Sequence, residues 1–369
     1  MEKCILVMAG GTGGHVFPAL AVARELRERG WRVVWIGTRQ GMESKLVPQA
    51  GFEMEWIAVG GLRGKGTRTL LAAPFNLVRA VGQAVAIVRR LQPAAVLGMG
   101  GFAAGPGGLA SWILRRPLVI HEQNAIAGMT NVWLARFAQR VCSAFPKTFN
   151  ARTSVTVTGN PVRREIVALA PPAQRFEGRQ GPLRLLVVGG SLGAQALNEI
   201  VPAALAGWDA PLQPQVWHQT GAKHLDVAQS NYRAAGVSAR VVAFIDEMAE
   251  AYGWADLVLC RAGALTVSEL AAAGVASLLV PYPHAVDDHQ TANAGFLVDC
   301  GAARLIQQSE LTVERLRQSL FEIAGVDAGR SVSVDRSRLL AMARAARAVA
   351  QPDATGMVAN ICEEVARRA

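Results

Sequence analysis

Ile5-Leu6-Val7-Met8 runs into Gly10-Gly11-Thr12-Gly13-Gly14-His15, and Leu185-Leu186-Val187-Val188 runs into Gly189-Gly190-Ser191-Leu192-Gly193. Each is a continuous apolar run, the mark of a parallel strand buried on both faces, handed to a helix through a glycine turn. Glycine there permits a positive φ and lets the backbone approach a ligand, while the next helix offers free N–H groups to an anion. The same unit twice, half a chain apart, predicts two similar α/β domains facing one another across a cleft. Such a pair suits an enzyme that joins a phosphorylated donor to a second substrate.

The alternation continues on either side of these runs. In the first half the strand candidates are 5–9, 32–37, 95–98, 118–120 and 155–158, with helical patterns over 19–28 and 77–91. In the second half they are 183–188, 215–219, 239–244, 257–260 and 276–280, and the tail reads as helix over 335–350 and again after Pro352. Strands alternating with helices imply doubly wound parallel sheets with ligands at the carboxyl ends of the strands. Gly159-Asn160-Pro161-Val162-Arg163 closes the first domain, and a polar Pro/Gly segment over 171–182 separates the halves.

A chain of 369 residues, 51% hydrophobic and 18% charged, is a packed globular protein of about two domains. Its five cysteines are scattered without a C-x-x-C pair, and Cys4, Cys142 and Cys260 fall in or beside apolar runs, as buried free thiols of a reducing cytoplasm would. Met1-Glu2-Lys3 leads into a short strand and a glycine turn rather than a secretory leader. The longest uncharged apolar stretch, 91–114, holds six glycines and two prolines, which argues against a spanning helix.

Charge is uneven. The net charge is +10, yet residues 56–164 contain fourteen Lys or Arg and one acid, Glu122. Within them Leu62-Arg63-Gly64-Lys65-Gly66-Thr67-Arg68 precedes Leu70-Leu71-Ala72-Ala73-Pro74-Phe75. Basic residues beside apolar ones suit an anionic membrane surface. Three tyrosines and no basic motif interleaved with aromatics make nucleic acid a poor alternative.

Gly98-Met99-Gly100-Gly101-Phe102-Ala103 imitates a dinucleotide fingerprint, but Pro106 and further glycines follow where that fold needs a packed helix. A stronger signal is Cys260-Arg261-Ala262-Gly263-Ala264-Leu265-Thr266-Val267-Ser268-Glu269, which puts small residues at a helix start able to hold a diphosphate. There Thr266-x-x-Glu269 also spells a capping box, so Glu269 reads either as a cap or as a carboxylate reaching a ribose diol. His284-Ala285-Val286-Asp287-Asp288-His289-Gln290 lacks the spacing of a metal site, and His121-Glu122-Gln123-Asn124 gathers four polar groups at a strand's carboxyl end.

Taken in order, these loops resemble the family 28 glycosyltransferases, the peripheral membrane N-acetylglucosaminyltransferases of bacterial cell-wall synthesis. The resemblance spans nearly the whole chain: 10–20, Gly61-Leu62-Arg63-Gly64, 98–102, Gly105-Pro106-Gly107-Gly108, 121–124, 159–163, 189–194, Phe244-Ile245-Asp246, 263–269 and His289-Gln290. It implies the glycosyltransferase B fold of two Rossmann-like domains. Residues 1–160 would form the acceptor and membrane-docking domain and 161–340 the UDP-sugar domain, with helices over 341–369 packing back on the first. It further implies inverting transfer of N-acetylglucosamine from UDP-GlcNAc to the C4 hydroxyl of undecaprenyl-pyrophosphoryl-MurNAc-pentapeptide in peptidoglycan synthesis, with its links to cell shape and division. The location would be the cytoplasmic face of the inner membrane, with neither metal nor cofactor, and with other cell-wall synthesis and division proteins as partners. The alternative is another UDP-sugar transferase of this fold acting on a lipid or aglycone acceptor.

Positions matching the family's donor site are Thr12, Gly13, Gly14, Asn124, Arg163, Ser191, Ile245, Ala264, Leu265, Thr266, Val267, Ser268, Glu269 and Gln290, with His289 as the neighbouring alternative to the last. On this reading Ser191 and the 264–266 amides hold the diphosphate, Ile245 packs on uracil, Glu269 takes the ribose hydroxyls, and Gln290 and Asn124 hold the sugar. Inverting displacement needs a base for the acceptor hydroxyl, by analogy with inverting glycosidases. His15, a residue type that titrates near working pH, is the candidate, and Glu122 its rival. Helix N-terminal amides with Arg163 would carry the charge of the leaving group.

Overall fold

The computed structural model describes residues 3–60, 67–190, 193–283, 288–326 and 333–368, with the backbone alone over 67–72 and at 210. Ser191, His284 and the basic residues Arg63 and Lys65 lie outside the described residues, as do the side chains of Arg68, Leu70 and Leu71. The chain divides into two compact units, Met1–Arg163 with Gln351–Ala369, and Arg164–Ala350.

Seven strands build the first unit: β1 (Cys4–Met8), β2 (Arg32–Gly37), β3 (Glu53–Trp56), β4 (Ala95–Gly98), β5 (Leu118–Glu122), β6 (Arg140–Ser143) and β7 (Thr156–Val157). They are parallel throughout, in the order β3-β2-β1-β4-β5-β6-β7. The period-2 geometry of β1 splits its apolar run between two cores. Ile5, Val7 and Ala9 pack with Val16, Ala19 and Ala23 of the helix Gly13–Glu28 and with Val358 and Cys362 of the helix Ala354–Arg367. Cys4, Leu6 and Met8 pack on the other face with Ala84 and Val88 of the helix Thr67–Leu91 and Ala104 and Ala110 of the helix Ala104–Ile113.

That last helix departs from the sequence expectation, which read Pro106 and the glycines as helix-breaking. Pro106 occupies the third helical position, where its missing N–H has no intrahelical acceptor to lose. The glycines let the helix seat closely: a Cβ at Gly107 would collide with Met8 Sδ, and one at Gly108 would lie 2.6 Å from Leu134 Cδ2.

The second unit repeats the plan with β8 (Arg184–Val188), β9 (Gln215–Gln219), β10 (Ala239–Val242), β11 (Leu257–Cys260), β12 (Ala276–Leu279) and β13 (Ala303–Leu305), all parallel in the order β10-β9-β8-β11-β12-β13. The Pro/Gly segment read as a linker belongs to this unit: Phe176 enters its core and Arg179 pairs with the buried Asp256 at 2.6 Å. The helix Arg336–Ala348 also stays here, because Leu339, Met342 and Ala343 sit in the same core. The stretch that joins the first unit therefore begins at Gln351, not at 341. Trp31 Nε1 donates to Glu363 Oε1 at 2.7 Å and Arg29 Nη1 to Asn360 Oδ1 at 2.6 Å, tying that final helix down.

In each unit the strand order reverses beside the first strand, between β1 and β4 and between β8 and β11. At such a point neighbouring loops leave in opposite directions and open a crevice at the carboxyl edge. Both glycine turns stand there.

Candidate active site

In the first unit, registers Met8↔Gly98 and Gly98↔Ile120 bring three loops to one edge: Ala9 to His15, Met99 to Phe102, and His121 to Asn124. Thr12 is the extended, exposed N-cap of its helix and its carbonyl accepts the N–H of His15 at 3.1 Å. Gly13 and Gly14 form the first turn, and a Cβ on Gly13 would press on the Phe17 ring at 3.1 Å. Gly100 and Gly101, at φ +96° and +82°, leave space for neighbours: a Cβ on Gly100 would lie 2.8 Å from His15 Nδ1, and one on Gly101 would strike the Gly10 backbone.

His15 does not bond to the helix backbone through its ring. Its Nδ1 lies 2.9 Å from Oε1 of Gln123, a residue 1% exposed. Glu122 is engaged differently. Oε1 accepts from the N–H and Nδ2 of Asn124 (3.0 and 3.1 Å), and Oε2 from Gly128 N–H (3.1 Å) and Asn131 Nδ2 (2.8 Å). Four donors meet about four lone-pair sites on a buried carboxylate, so Glu122 ties the 122–131 segment together. His121 is fully buried, with Nε2 on Gly159 O at 2.9 Å, and burial lowers its pKa to about 4. Of the polar quartet, two members hold loops and Gln123 holds His15. Arg163, the last residue of the first stretch of this unit, stacks its guanidinium 5.9 Å from the centre of the Phe17 ring.

In the second unit, register Val188↔Cys260 sets the glycine turn of β8 beside the loop after β11. The buried Gln219 clamps that turn: Oε1 accepts Gly190 N–H at 3.0 Å while Nε2 donates to the carbonyls of Gly190 and Ala243, each at 3.0 Å. The helix Ala264–Ala273 starts from Gly263, so the amides of Ala264, Leu265 and Thr266 precede any intrahelical acceptor and point at the crevice edge. Val267 is its fourth residue, and its N–H bonds back to Gly263 O at 2.9 Å. Ser268 turns its hydroxyl back to Ala264 O at 3.0 Å.

This N-cap removes the capping-box reading. Thr266 and Glu269 are the third and sixth helical residues, and Glu269, 4% exposed, accepts the Tyr252 hydroxyl on Oε2 at 3.1 Å. Ile245 is 6% exposed, whereas Phe244 beside it is 55% exposed, so the ring offered in that loop is Phe244. Gln290 is the second residue of the helix His289–Val298 and accepts the Tyr282 N–H on Oε1 at 2.9 Å. Gln219 and Tyr252 escaped the sequence reading, and Gln123 entered it only as one of the polar quartet 121–124, without a role. The only signal for the two glutamines is a polar residue ending, or just past, an otherwise apolar strand.

Two parallel α/β units, each with a glycine turn at its switch point, have the architecture of the glycosyltransferase B fold. Residues 5–143 match the glycosyltransferase family 28 N-terminal domain and 184–328 the family 28 C-terminal domain, and the chain belongs to this family. A Marinobacter nauticus protein is 56% identical over 365 residues, 99% of this chain and 98% of its own. One from Dechloromonas aromatica is 55% identical over 367 residues, 100% of each. Both are named UDP-N-acetylglucosamine–N-acetylmuramyl-(pentapeptide) pyrophosphoryl-undecaprenol N-acetylglucosamine transferase. Among solved structures, Acinetobacter baumannii MurG superposes with a TM-score of 0.84 at 44% identity, over 98% of this chain and 100% of that one. A calicheamicin glycosyltransferase, 18% identical with a TM-score of 0.65 over 100% of this chain and 99% of that one, shares the fold alone.

Proposed function

We infer that this chain transfers N-acetylglucosamine from UDP-N-acetylglucosamine to N-acetylmuramyl-(pentapeptide) pyrophosphoryl-undecaprenol, a step of peptidoglycan synthesis. The observation that carries this is identity of 55% or more, along the entire chain, to proteins bearing that name. Formation of the disaccharide lipid from labelled donor and lipid acceptor tests it. Transfer only to an unrelated aglycone would overturn it.

The chemistry we propose is one in-line displacement with inversion. The acceptor C4 hydroxyl attacks the anomeric carbon as its proton passes to His15, and the bond to the diphosphate breaks. Donors fixed before reaction need no reorganisation, which is the role given to the amides of Ala264, Leu265 and Thr266; Ser191 and Arg163 are assigned to the same charge. Val267 and Ser268 complete the helix turn that supports them. Glu269 takes the ribose hydroxyls, the 244–245 loop the uracil, and Gln290 and Asn124 the sugar. Thr12, Gly13 and Gly14 bring backbone close to the transferred group. The buried Glu122 supports this site through its loop, and the base is His15. Replacing His15 with Gln is expected to lower kcat by about 10²–10⁴ with donor KM little changed. Equal kcat in that variant would remove His15 from the role.

We further propose that the enzyme docks peripherally on the cytoplasmic, anionic face of the inner membrane, where its lipid substrate and other cell-wall and division proteins would meet it. Among the described residues no helix is long and apolar enough to cross a membrane. Support for docking comes from Phe75, Leu77 and Val78 (74%, 51% and 71% exposed) on the helix Thr67–Leu91, which packs against the helix bearing the exposed Trp112 and Ile113. Basic residues surround them in sequence.

A further inference from the structure

We propose that Gln123 is a positioning residue that fixes which nitrogen of His15 carries the proton and makes Nε2 the basic atom of the site; this rests on His15 being the acceptor base. The side-chain amide of Gln123 is buried among fixed groups. Its Nε2 donates to Met99 O at 2.7 Å and to His121 O at 3.3 Å. Two carbonyl oxygens can be served only by the NH₂ end of the amide, so the orientation is determined and Oε1 faces His15 Nδ1 at 2.9 Å. A carbonyl oxygen has no proton to give. The pair is a hydrogen bond only if Nδ1 is the donor, and a neutral imidazole protonated on Nδ1 keeps its lone pair on Nε2.

Both carbonyls that orient Gln123 are themselves fixed. Met99 follows β4 and its N–H is bound to Met8 O at 2.8 Å, while His121 is inside β5. Gly100, where no Cβ fits beside Nδ1 and Cε1, gives the imidazole its resting surface. Ring plane and tautomer are thus set by three strand ends that the sequence holds far apart.

The consequence for transfer is direct. As the acceptor oxygen bonds to the anomeric carbon, its O–H proton moves to Nε2 and the O–H electron pair stays on that oxygen, while the bond from the anomeric carbon to the diphosphate oxygen breaks and its electron pair leaves with UDP. The imidazolium formed keeps its Nδ1–H on Gln123 Oε1, now a charge-assisted hydrogen bond. With the opposite tautomer, Nε2 would carry a proton and could not act. Free imidazole side chains favour that opposite, Nε2-protonated form, so the hold must come from the protein.

The test is nitrogen NMR of histidine-labelled full-length protein at a pH where His15 is neutral, with His15→Gln identifying its resonances. A protonated Nδ1 and a bare Nε2 are expected in the wild type. In Gln123→Met, which keeps the length of the side chain without polar atoms, the Nε2-protonated form should predominate and kcat should fall about 10–100-fold at constant donor KM. A wild-type His15 protonated on Nε2 would overturn the proposal without recourse to any variant. So would an unchanged tautomer in folded Gln123→Met. If the tautomer behaves as stated and His15→Gln nonetheless retains full kcat, the positioning role stands and the reading of His15 as base fails.

Discussion

The carboxylate of Glu43 lies against Gly11: Oε2 accepts the Gly11 N–H at 2.9 Å, while Oε1 accepts the N–H and hydroxyl of Thr38 at 2.9 and 2.8 Å. Glu43 has no exposed surface, and Gly10 and Gly37 leave it room, since a Cβ on either would come within 2.7 Å of it. The first glycine turn is therefore shaped by a side chain from the first residue of the helix Glu43–Gln49, which follows the next strand.

Glu43→Ala strips the acceptor from three donors, two of them buried, and leaves a cavity. A loss of about 2–5 kcal/mol is expected in chemical denaturation. Glu43→Gln keeps the volume but turns one NH₂ towards a donor, so it should fold, with kcat reduced about tenfold as the turn shifts. Wild-type kcat in Glu43→Gln would detach this contact from catalysis.

Two buried histidines give stability a pH dependence of definite sign. Burial lowers His121 from 6.5 to about 4 and His218 from 6.5 to about 3. The unfolded chain therefore takes up these protons first. Their contribution is complete above about pH 6.5, falls as pH drops through the interval down to each folded value, and levels off below it. Each is worth a few kcal/mol across its window. The melting temperature should fall between pH 7 and 5, and the slope should be shallower in His218→Gln than in wild type. Parallel curves would show that other groups govern acid sensitivity.

Glu269→Ala should weaken UDP-sugar binding, by about 1.5–3 kcal/mol for a hydrogen bond to a charged group. It should also destabilise the second unit, because the hydrogen bond from the Tyr252 hydroxyl to Glu269 is lost. Tyr252→Phe separates the two effects: it removes that bond while keeping the carboxylate, and donor affinity by calorimetry should stay within a few fold. Wild-type affinity in folded Glu269→Ala would exclude the ribose contact.

Phe75→Asp with Val78→Asp should cut partition onto anionic vesicles at least tenfold, at about 1.5–3 kcal/mol for each large apolar side chain that would otherwise be buried. Both residues are already exposed, so the fold should be unaffected. Raised salt should weaken wild-type binding as well. Undiminished partition of the double variant would move the docking surface elsewhere.

Runs such as Arg32–Gly37, Gln215–Gln219 and Leu257–Cys260 are strands over the very residues their composition marks, because full burial of a parallel strand demands a local apolar run. Three strands escaped notice. Glu53–Trp56 is an edge strand carrying two glutamates, and Arg140–Ser143 and Ala303–Leu305 are too short and mixed to declare themselves. Edge strands bury one side at most, so their composition carries less of the signal.

The sequence by itself determined the two α/β repeats, the glycine turns at their first strands and a helix of small residues after β11, because each follows from local backbone freedom and contiguous hydrophobicity. Only the tertiary structure decided what those turns are bonded to. Gln123 reaches His15 across 108 positions, Glu43 reaches Gly11 across 32, and Gln219 reaches Gly190 across 29. It also decided that Glu269 answers to Tyr252 rather than to a helix cap, and that Glu122 is consumed by its own loop. Hydrogen bonds of buried side chains depend on which strand ends become neighbours, and strand order is fixed by the packing of the whole sheet rather than by any one stretch of chain.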